Sequence, residues 1–355
     1  SDLIGSGPAG LAAAAELARS GFPVTVYEKE EKTGGMLRYG IGEHRLPRDV
    51  LDRDIRAIES WGVQFKTGTP VDLNKDLKAF GKKYKAVLLT TGTWADRKLG
   101  VPGEDLEGVS GCLDFLTACH RGDAVTPQGK IAVIGDGNSA FDLARTLVRL
   151  GCDVTLVSWF PENMITADEE EVKGAVAEGV RLLCSFETVA FKGKKGRLSA
   201  LSLVPTRPGE PDERGVAWPV RVEGAKPEDR PFDAAFVAVG QVGPLKGDHG
   251  FAVSERGTIM SDESFKPDLA GVYAAGDAVT GPASVVHAMA QGRQAAGSII
   301  FHITGKKPAF MAEGERLERP SCRDFSPVPS DLETLGRAEM PEIPVSERRL
   351  SFKEV

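Results

Sequence analysis

The chain has 355 residues, a formal net charge of −7 and no basic block. That length exceeds one simple core and points to two domains, and the dispersed acidic balance argues against nucleic acid as a partner. No run of 18 apolar residues and no signal peptide is present, so no membrane span is expected and the chain reads as cytoplasmic.

The five cysteines, Cys112, Cys119, Cys152, Cys184 and Cys322, form no C-x-x-C pair and no zinc or iron–sulfur spacing. They read as buried thiols in a reducing compartment, with no metal site expected. The 41 glycines suit tight turns against phosphates or a loop-rich chain, and decide nothing alone.

In chain order, Ser1-Asp2-Leu3-Ile4 is half a strand. A first strand usually needs five or six residues, which implies that the sequence is part of a longer polypeptide. Gly5, Gly7 and Gly10 follow in G-x-G-x-x-G spacing. An alanine-rich helix is predicted from about Pro8 to Arg19, closed by Gly21, and a strand over Val24–Tyr27 ends at Glu28. Here Gly5 permits the turn, Gly7 leaves room for a pyrophosphate and Gly10 lets helix and strand pack closely. The helix N-terminus offers free N–H groups to phosphates, and Glu28 can accept from ribose hydroxyls. The segment 85–91 (KAVLLTT) reads as a strand before Gly92, and the chain is expected to cross between domains near 95–125 and 240–250.

The segment from Ile131 to Ser158 superimposes on the first unit at a constant offset of 130: Gly5 on Gly135, Gly7 on Gly137, Gly10 on Ala140, Val24 on Val154. A repeated device is stronger evidence than either copy alone. The offset also aligns Glu28 with Ser158, so this copy lacks the ribose acid. It lacks a 2′-phosphate arginine too, because Trp159, Phe160, Pro161 and Glu162 follow. Asp136 inside the glycine loop would repel a pyrophosphate unless it points away. Both a working dinucleotide site and a retained scaffold stay open.

Residues 206–231 read as a long hairpin or loop insertion, and 234–240 (AAFVAVG) as a strand ending in glycine. A strand over Gly271–Ala275 precedes Gly276-Asp277, and a helix is predicted from near Ser284 to about Ile303. Asp277 could bond a flavin's ribityl chain or pyrophosphate, and the helix N-terminus favours the charge of a reduced flavin. Residues 306–355 form a proline-rich tail that either precedes a cysteine-rich segment, wraps a partner, or straps its own domain. Cys112 and Cys119 are too far apart for a thioredoxin-reductase-type redox pair. His44 reads as a loop hydrogen-bonder, with a proton donor as the alternative, and His287 as a packing residue, with flavin contact as the alternative. Hydride transfer needs no protein acid or base at the ring carbons, so no catalytic residue is assigned.

These blocks resemble the small subunit of bacterial glutamate synthase, the flavin subunits of electron-bifurcating transhydrogenases and the flavoprotein arm of dihydropyrimidine dehydrogenase. The carrying motifs are GSGPAGLAAA (5–14), GGMLRYGIGEHRLPRDVLDRDI (34–55), LGVPGEDLEGV (99–109), IGDGNSAFDLART (134–146) and AAGDAVTGPASVVHAMAQGRQAA (274–296). The resemblance implies an α/β fold of two Rossmann-like, glutathione-reductase-type domains, the second inserted into the first. The expected division is an FAD-binding domain over 1–110 and 244–306, an NAD(P)-binding insertion over 111–243, and an extended tail over 307–355.

It further implies FAD contacts at Gly5, Gly7, Pro8, Ala9, Gly10, Glu28, Lys29, Gly35, Met36, Leu37, Arg45, Thr91, Gly92, Gly276, Asp277, Ser284 and Val285. NAD(H) or NADP(H) would sit on Gly135, Gly137, Asn138 and Ser139. Electrons would pass between the nicotinamide and iron–sulfur clusters outside this segment, in a partner subunit or flanking domain of a larger complex. The alternative is a flavin relay subunit with a degenerate nicotinamide site. Two departures stand out. Relatives typically carry tyrosine and two arginines that select NADP(H) where this chain has Ser158, Trp159 and Phe160. Their YGIPEYRLP appears as YGIGEHRLP, with Gly42 and His44 changed.

Overall fold

The computed structural model describes residues 1–213, 215–247, 249–311 and 341–353. Cys322 and most of the proline-rich tail (312–340) lie outside the described residues.

Short apolar runs build a five-stranded parallel sheet in the order β16-β4-β1-β2-β3. Its strands are β1 (Asp2–Ile4), β2 (Thr25–Tyr27), β3 (Gln64–Lys66), β4 (Val87–Leu89) and, after a long excursion, β16 (Val272–Ala274). Leu3, Val26, Val87, Leu88 and Leu89 are wholly buried, as strands covered by helices on both faces require. The covering helices are α1 (Pro8–Arg19), α2 (Met36–Tyr39), α3 (Arg48–Ser60), α4 (Leu73–Lys83), α8 (Asp277–Thr280) and α9 (Val285–Thr304).

Between β4 and β16 the chain builds a second five-stranded sheet, in the order β6-β14-β7-β8-β9. Its strands are β6 (Val109–Gly111), β7 (Lys130–Ile134), β8 (Asp153–Val157), β9 (Arg181–Leu183) and β14 (Ala234–Val237), with α5 (Cys112–Arg121), α6 (Asn138–Arg149) and α7 (Glu169–Glu178). The sequence offset survives as strand register. Leu3 pairs with Val26 in the first sheet, and Val133 with Leu156 in the second. The polar segment 206–231 belongs to an antiparallel sheet of β10 (Phe186–Lys194), β11 (Arg197–Pro211), β12 (Ala217–Arg221) and β13 (Glu228–Pro231). The two crossing segments meet: β5 (Ala95–Asp96) pairs antiparallel with β15 (Gln241–Val242).

Close backbone approach holds the first unit together. A Cβ on Gly292 of α9 would lie 2.0 Å from the Ala9 carbonyl oxygen of α1, and one on Gly276 would lie 2.7 Å from the Ala9 Cβ. Glycine at these points lets α9 press onto the start of α1. The second unit is held differently. Glu178, fully buried, takes Arg145 and Arg149 on its two oxygens at 2.6–3.2 Å. The described end of the tail straps this unit. There, α10 (Val345–Arg348) lies against α7, and the Ser351 and Lys353 carbonyls accept from Arg149 at 3.3 Å.

Gly292→Ala is expected to destabilise the protein by about 1–3 kcal/mol through overpacking. Gly81→Ala, on α4 with no atom within 4 Å of its Cβ, should be neutral or stabilising by about 0.5–1 kcal/mol. Urea midpoints of the two variants check this, and equal effects would refute the close-approach argument.

Candidate functional site

The first glycine loop leaves the C-terminal end of β1 and opens α1. Gly5 has φ +105°, and a Cβ there would sit 2.4 Å from the Thr90 carbonyl oxygen. A Cβ on Gly10 would sit 2.1 Å from the Gly5 oxygen. The loop is therefore clamped between β4 and α1. Gly7 differs, because its Cβ would meet no protein atom within 4 Å. Gly7 lines a cleft with Gly5, Pro8, Ala9, Glu28, Lys29, Gly35, Met36, Thr91, Gly92 and Asp277. Gly35 (φ +53°) brings the next loop in, with its Cβ position 2.7 Å from the Gly7 Cα.

Glu28 is buried at the end of β2. One of its oxygens accepts from the Ser6 N–H (2.9 Å) and Ser6 Oγ (2.6 Å), the other from the Glu30 N–H (2.9 Å). The acid braces the glycine loop as well as facing the cleft, and the oxygen that accepts from Glu30 keeps a lone pair for a ligand hydroxyl.

The cradle fits an adenine dinucleotide on this chain's own geometry. A helix N-terminus and a side-chain-free Gly7 meet at one point, with an acid beside them. Farther along, Thr91 Oγ1 and Asp277 Oδ1 are buried without a hydrogen-bond partner, and both residues line the cleft. Burial pushes Asp277 up to about 6.

At Pro8, Met36, Asp277 and Ala288 this cleft joins a second one, lined also by Asp96, Cys112, Ser139, Asp142, Gly240, Ser284 and Val285. Ser284 Oγ caps α9 through the His287 N–H at 3.2 Å. Of the second unit's glycine loop, Ser139 lines this second cleft. A Cβ on Gly135 (φ +135°) would lie 2.3 Å from the Ala238 carbonyl oxygen, while one on Gly137 would meet nothing nearer than Thr166 Oγ1 at 3.9 Å. Asp136 points away from the loop's open side, accepting from Ser158 Oγ (2.7 Å) and Thr166 Oγ1 (3.2 Å). Asn138 clamps Asp168 through its Nδ2 (3.0 Å) and Oδ1 (2.9 Å).

The structure places several predicted residues elsewhere. Arg45 does not line the first cleft. The 40–47 loop turns it toward α6 and α7, where it pairs with Asp142 (3.0 Å) and Glu171 (2.9 Å). Leu37 packs with Leu11, Leu51 and Ile55, and Gly10 and Gly276 support the loops from behind. His287 is exposed, beside Gln291. Cys112 and Cys119 are free thiols, and Cys112 Sγ donates to the Ser139 carbonyl at 3.4 Å.

Sequence reasoning missed Asp96, which caps α5 through the Leu113 and Asp114 N–H groups at 3.0 Å. It also missed Asp142, which had no signal beyond its place in a helix block. Arg121 with Glu30 (2.6–2.9 Å) and His120 Nδ1 with the Tyr39 carbonyl (2.9 Å) complete the link between the units. The two family departures at 42 and 44 are one change. A Cβ on Gly42 would fall 2.3 Å from His44 Cε1, so the ring occupies space that a side chain at 42 would need.

His44, Asp142 and Glu171 offer ligand atoms within 4.8 Å of one another. The Arg45 guanidinium already bridges both carboxylates, and Arg145 takes Glu171 as well. The cation here is supplied by the protein.

Two glycine loops of the same build, each at the C-terminal end of its own parallel sheet, define a two-dinucleotide oxidoreductase. The family model described as pyridine nucleotide-disulphide oxidoreductase matches residues 3–292. The chain belongs to that family. It is 38% identical over 304 residues to the NADP(+)-dependent formate dehydrogenase subunit beta of Moorella thermoacetica, covering 84% of this chain and 43% of that one. It is 34% identical over 319 residues to the glutamate synthase (NADPH) small chain of Halomonas elongata, covering 85% of this chain and 67% of that one. The fold matches that of Mycobacterium tuberculosis FprA in complex with NADPH, with TM-score 0.72 and 18% identity over 86% of this chain and 84% of that one. Among the described residues no helix is long and apolar enough to cross a membrane.

The interdomain cluster makes a signed pH prediction. Burial holds His44 far below its ordinary value, down to about 2, and His120 down to about 4. Each takes up a proton near pH 6.5 only when unfolded, so each withdraws stability as pH falls below 6.5. Between pH 6.5 and 5 that is about 2 kcal/mol per histidine. Burial pushes Asp142 the other way, up to about 7 against the pull of Arg45. The folded state then holds its proton between pH 4 and 7, and stability is lost as pH rises through that window. Urea unfolding across pH 5–7 should show a shallower acid loss in His44→Gln and a steeper one in Asp142→Asn. The same slope in both would refute the assignment.

Proposed function

We propose that the chain is an FAD-dependent oxidoreductase that passes electrons between a nicotinamide dinucleotide and an iron–sulfur partner. The observation that carries this reading is the first glycine cradle, whose cleft joins at Pro8, Met36, Asp277 and Ala288 a second cleft lined by Ser139 and Asp142 of the repeated unit. FAD supplies the ability to take two electrons as a hydride and release them singly. Residues 1–110 and 244–306 form the FAD-binding unit, with the pyrophosphate at Gly5, Gly7 and the start of α1 and the ribose at Glu28. Residues 111–243 carry the nicotinamide dinucleotide on the loop from Gly135 to Ser139.

The chain's own groups position and shield. The α9 N-terminus faces the joint cleft and favours negative charge there. Asp277, pushed up to about 6 by burial, can donate or accept a proton at Oδ1. The Glu30–Arg121 pair holds one unit against the other.

Both sequence relatives are named as one subunit or chain of a larger enzyme, which supports a partner carrying the clusters. A second reading, a flavin relay without nicotinamide, is favoured by one observation: Ser158, Trp159 and Phe160 stand where a ribose acid or 2′-phosphate arginines would be, and Ser158 spends its hydroxyl on Asp136.

Gly7→Ala should keep the fold, since its Cβ meets no protein atom, yet lower bound flavin at least about tenfold by intruding on the pyrophosphate position. Flavin absorbance and circular dichroism read this. Anaerobic NADH or NADPH should bleach the flavin band of the unaltered protein. A colourless protein that stays so with added FAD defeats the proposal. Bleaching by neither nucleotide selects the relay.

A further inference from the structure

We infer that the second cradle takes a nicotinamide dinucleotide without a 2′-phosphate, NADH rather than NADPH, and stacks its adenine on Trp159. This rests on the reading that the cradle binds a nicotinamide dinucleotide. The internal repeat locates the adenosine end. In the first unit Glu28 and the next residue, Lys29, line the cleft. At the same offset of 130 the second unit has Ser158 and Trp159.

Ser158 is wholly buried and spends its hydroxyl on Asp136, so it offers a ribose nothing. Trp159 is 38% exposed. Its ring is held by Phe160 at 5.7 Å and Trp218 at 6.2 Å, themselves 5.9 Å apart. Thr206 Oγ1 donates to the Trp159 carbonyl at 2.6 Å, and Trp218 Nε1 donates to Asp212 Oδ2 at 2.9 Å. A braced, partly exposed indole at the adenosine end of a dinucleotide fold is a stacking platform, and such stacking is sequence-tolerant and strong.

The charge around it excludes a 2′-phosphate. Asp136 and Glu162 both act on the Cys184 thiol, which burial and then these carboxylates push up to about 11. Asp168 adds a third carboxylate, fastened to Asn138. The arginines of the neighbourhood are committed elsewhere. Arg181 opens β9 at the far end of the strands and binds Asp153, and Arg221 is taken by Glu187. Arg207 follows Thr206 on β11, so strand alternation turns it away from the side on which the Thr206 hydroxyl meets Trp159. Its Nη1 donates to the Pro208 carbonyl at 3.3 Å. A 2′-phosphate, carrying roughly −1.5 to −2 charges, would enter a rim of like charge.

Calorimetric titration of the FAD-loaded protein with ADP-ribose and with its 2′-phosphorylated counterpart tests this, alongside anaerobic reduction by NADH and NADPH. ADP-ribose should bind at least tenfold more tightly. Trp159→Ala should weaken ADP-ribose about five- to hundredfold with unchanged flavin content, and Trp159→Arg should narrow or invert the preference. Equal or tighter binding of the phosphorylated ligand overturns the inference, as does an unaffected Trp159→Ala. Preferential reduction by NADPH sinks the inference and leaves the proposed function standing. If neither fragment binds and neither nucleotide reduces the flavin, the nicotinamide reading itself fails.

Discussion

A hydrogen bond between a serine hydroxyl and a carboxylate ties each glycine loop to the end of the neighbouring strand. In the first unit the serine is in the loop and the acid on the strand: Ser6 Oγ to Glu28 at 2.6 Å. In the second the partners have traded places: Ser158 Oγ on the strand donates to Asp136 in the loop at 2.7 Å. The offset of 130 relates the two pairs residue for residue. The loop needs this tether because glycine gives it no side chains of its own to pack, and an untethered loop could not hold its N–H groups in one direction. Either arrangement satisfies the tether. They differ in where the negative charge sits, and that difference sets what each cradle can hold.

Close approach does the remaining work in the first unit. The Gly5–Thr90, Gly10–Gly5, Gly35–Gly7 and Gly292–Ala9 contacts all put backbone where a Cβ would collide. Three other chain segments, at Thr90, Gly35 and Gly292, thus converge on the glycine loop and the start of α1, and the contacts there are mostly main chain. Main chain has fewer rotamers to lose than long side chains when a ligand is bound, so such a junction is already organised. The joint between the units is built on the opposite principle. Arg45, Asp142, Glu171, Arg145, Glu178 and Arg149 form a continuous run of polar and charged contacts from the 40–47 loop into α6 and α7, with Arg45 as its member from the first unit. Buried ion pairs add little net stability over well-packed apolar groups, but removing one partner is costly. Their value here is directional. They fix how one cradle faces the other, which an apolar joint of the same area would leave free to slide.

The sequence made the repeated part of this architecture legible and left the joint obscure. Glycine spacing, the alanine-rich helix and apolar runs have local physical causes, so α1, β2 and the second copy could be read within a residue or two. Arg45 shows the limit. Its block was recognisable, but the direction of its side chain depends on Asp142, 97 residues away, and no local rule carries that. Asn138 is similar, since it stands in the right loop yet bonds Asp168, 30 residues on. Asp136 read as a source of repulsion because its serine partner is 22 residues distant. Pairing across space is what spacing cannot express.

Because the tether is the same bond written in two orders, the two cradles need not have diverged by losing anything. An acid at the strand end serves a ligand whose ribose hydroxyls need an acceptor, as at Glu28. A serine at that position frees the strand end from charge but brings the charge into the loop, where two hydroxyls, Ser158 and Thr166, turn it aside. With the acceptor gone, recognition of the adenosine must come from something other than a ribose grip, and the residue immediately after the serine is an indole braced by two more aromatic rings. The departure at 158 and the aromatic cluster at 159, 160 and 218 are therefore one physical solution. On the inference drawn above, a flat, uncharged surface takes over where the carboxylate was moved, and the displaced carboxylate discourages a more heavily charged ligand.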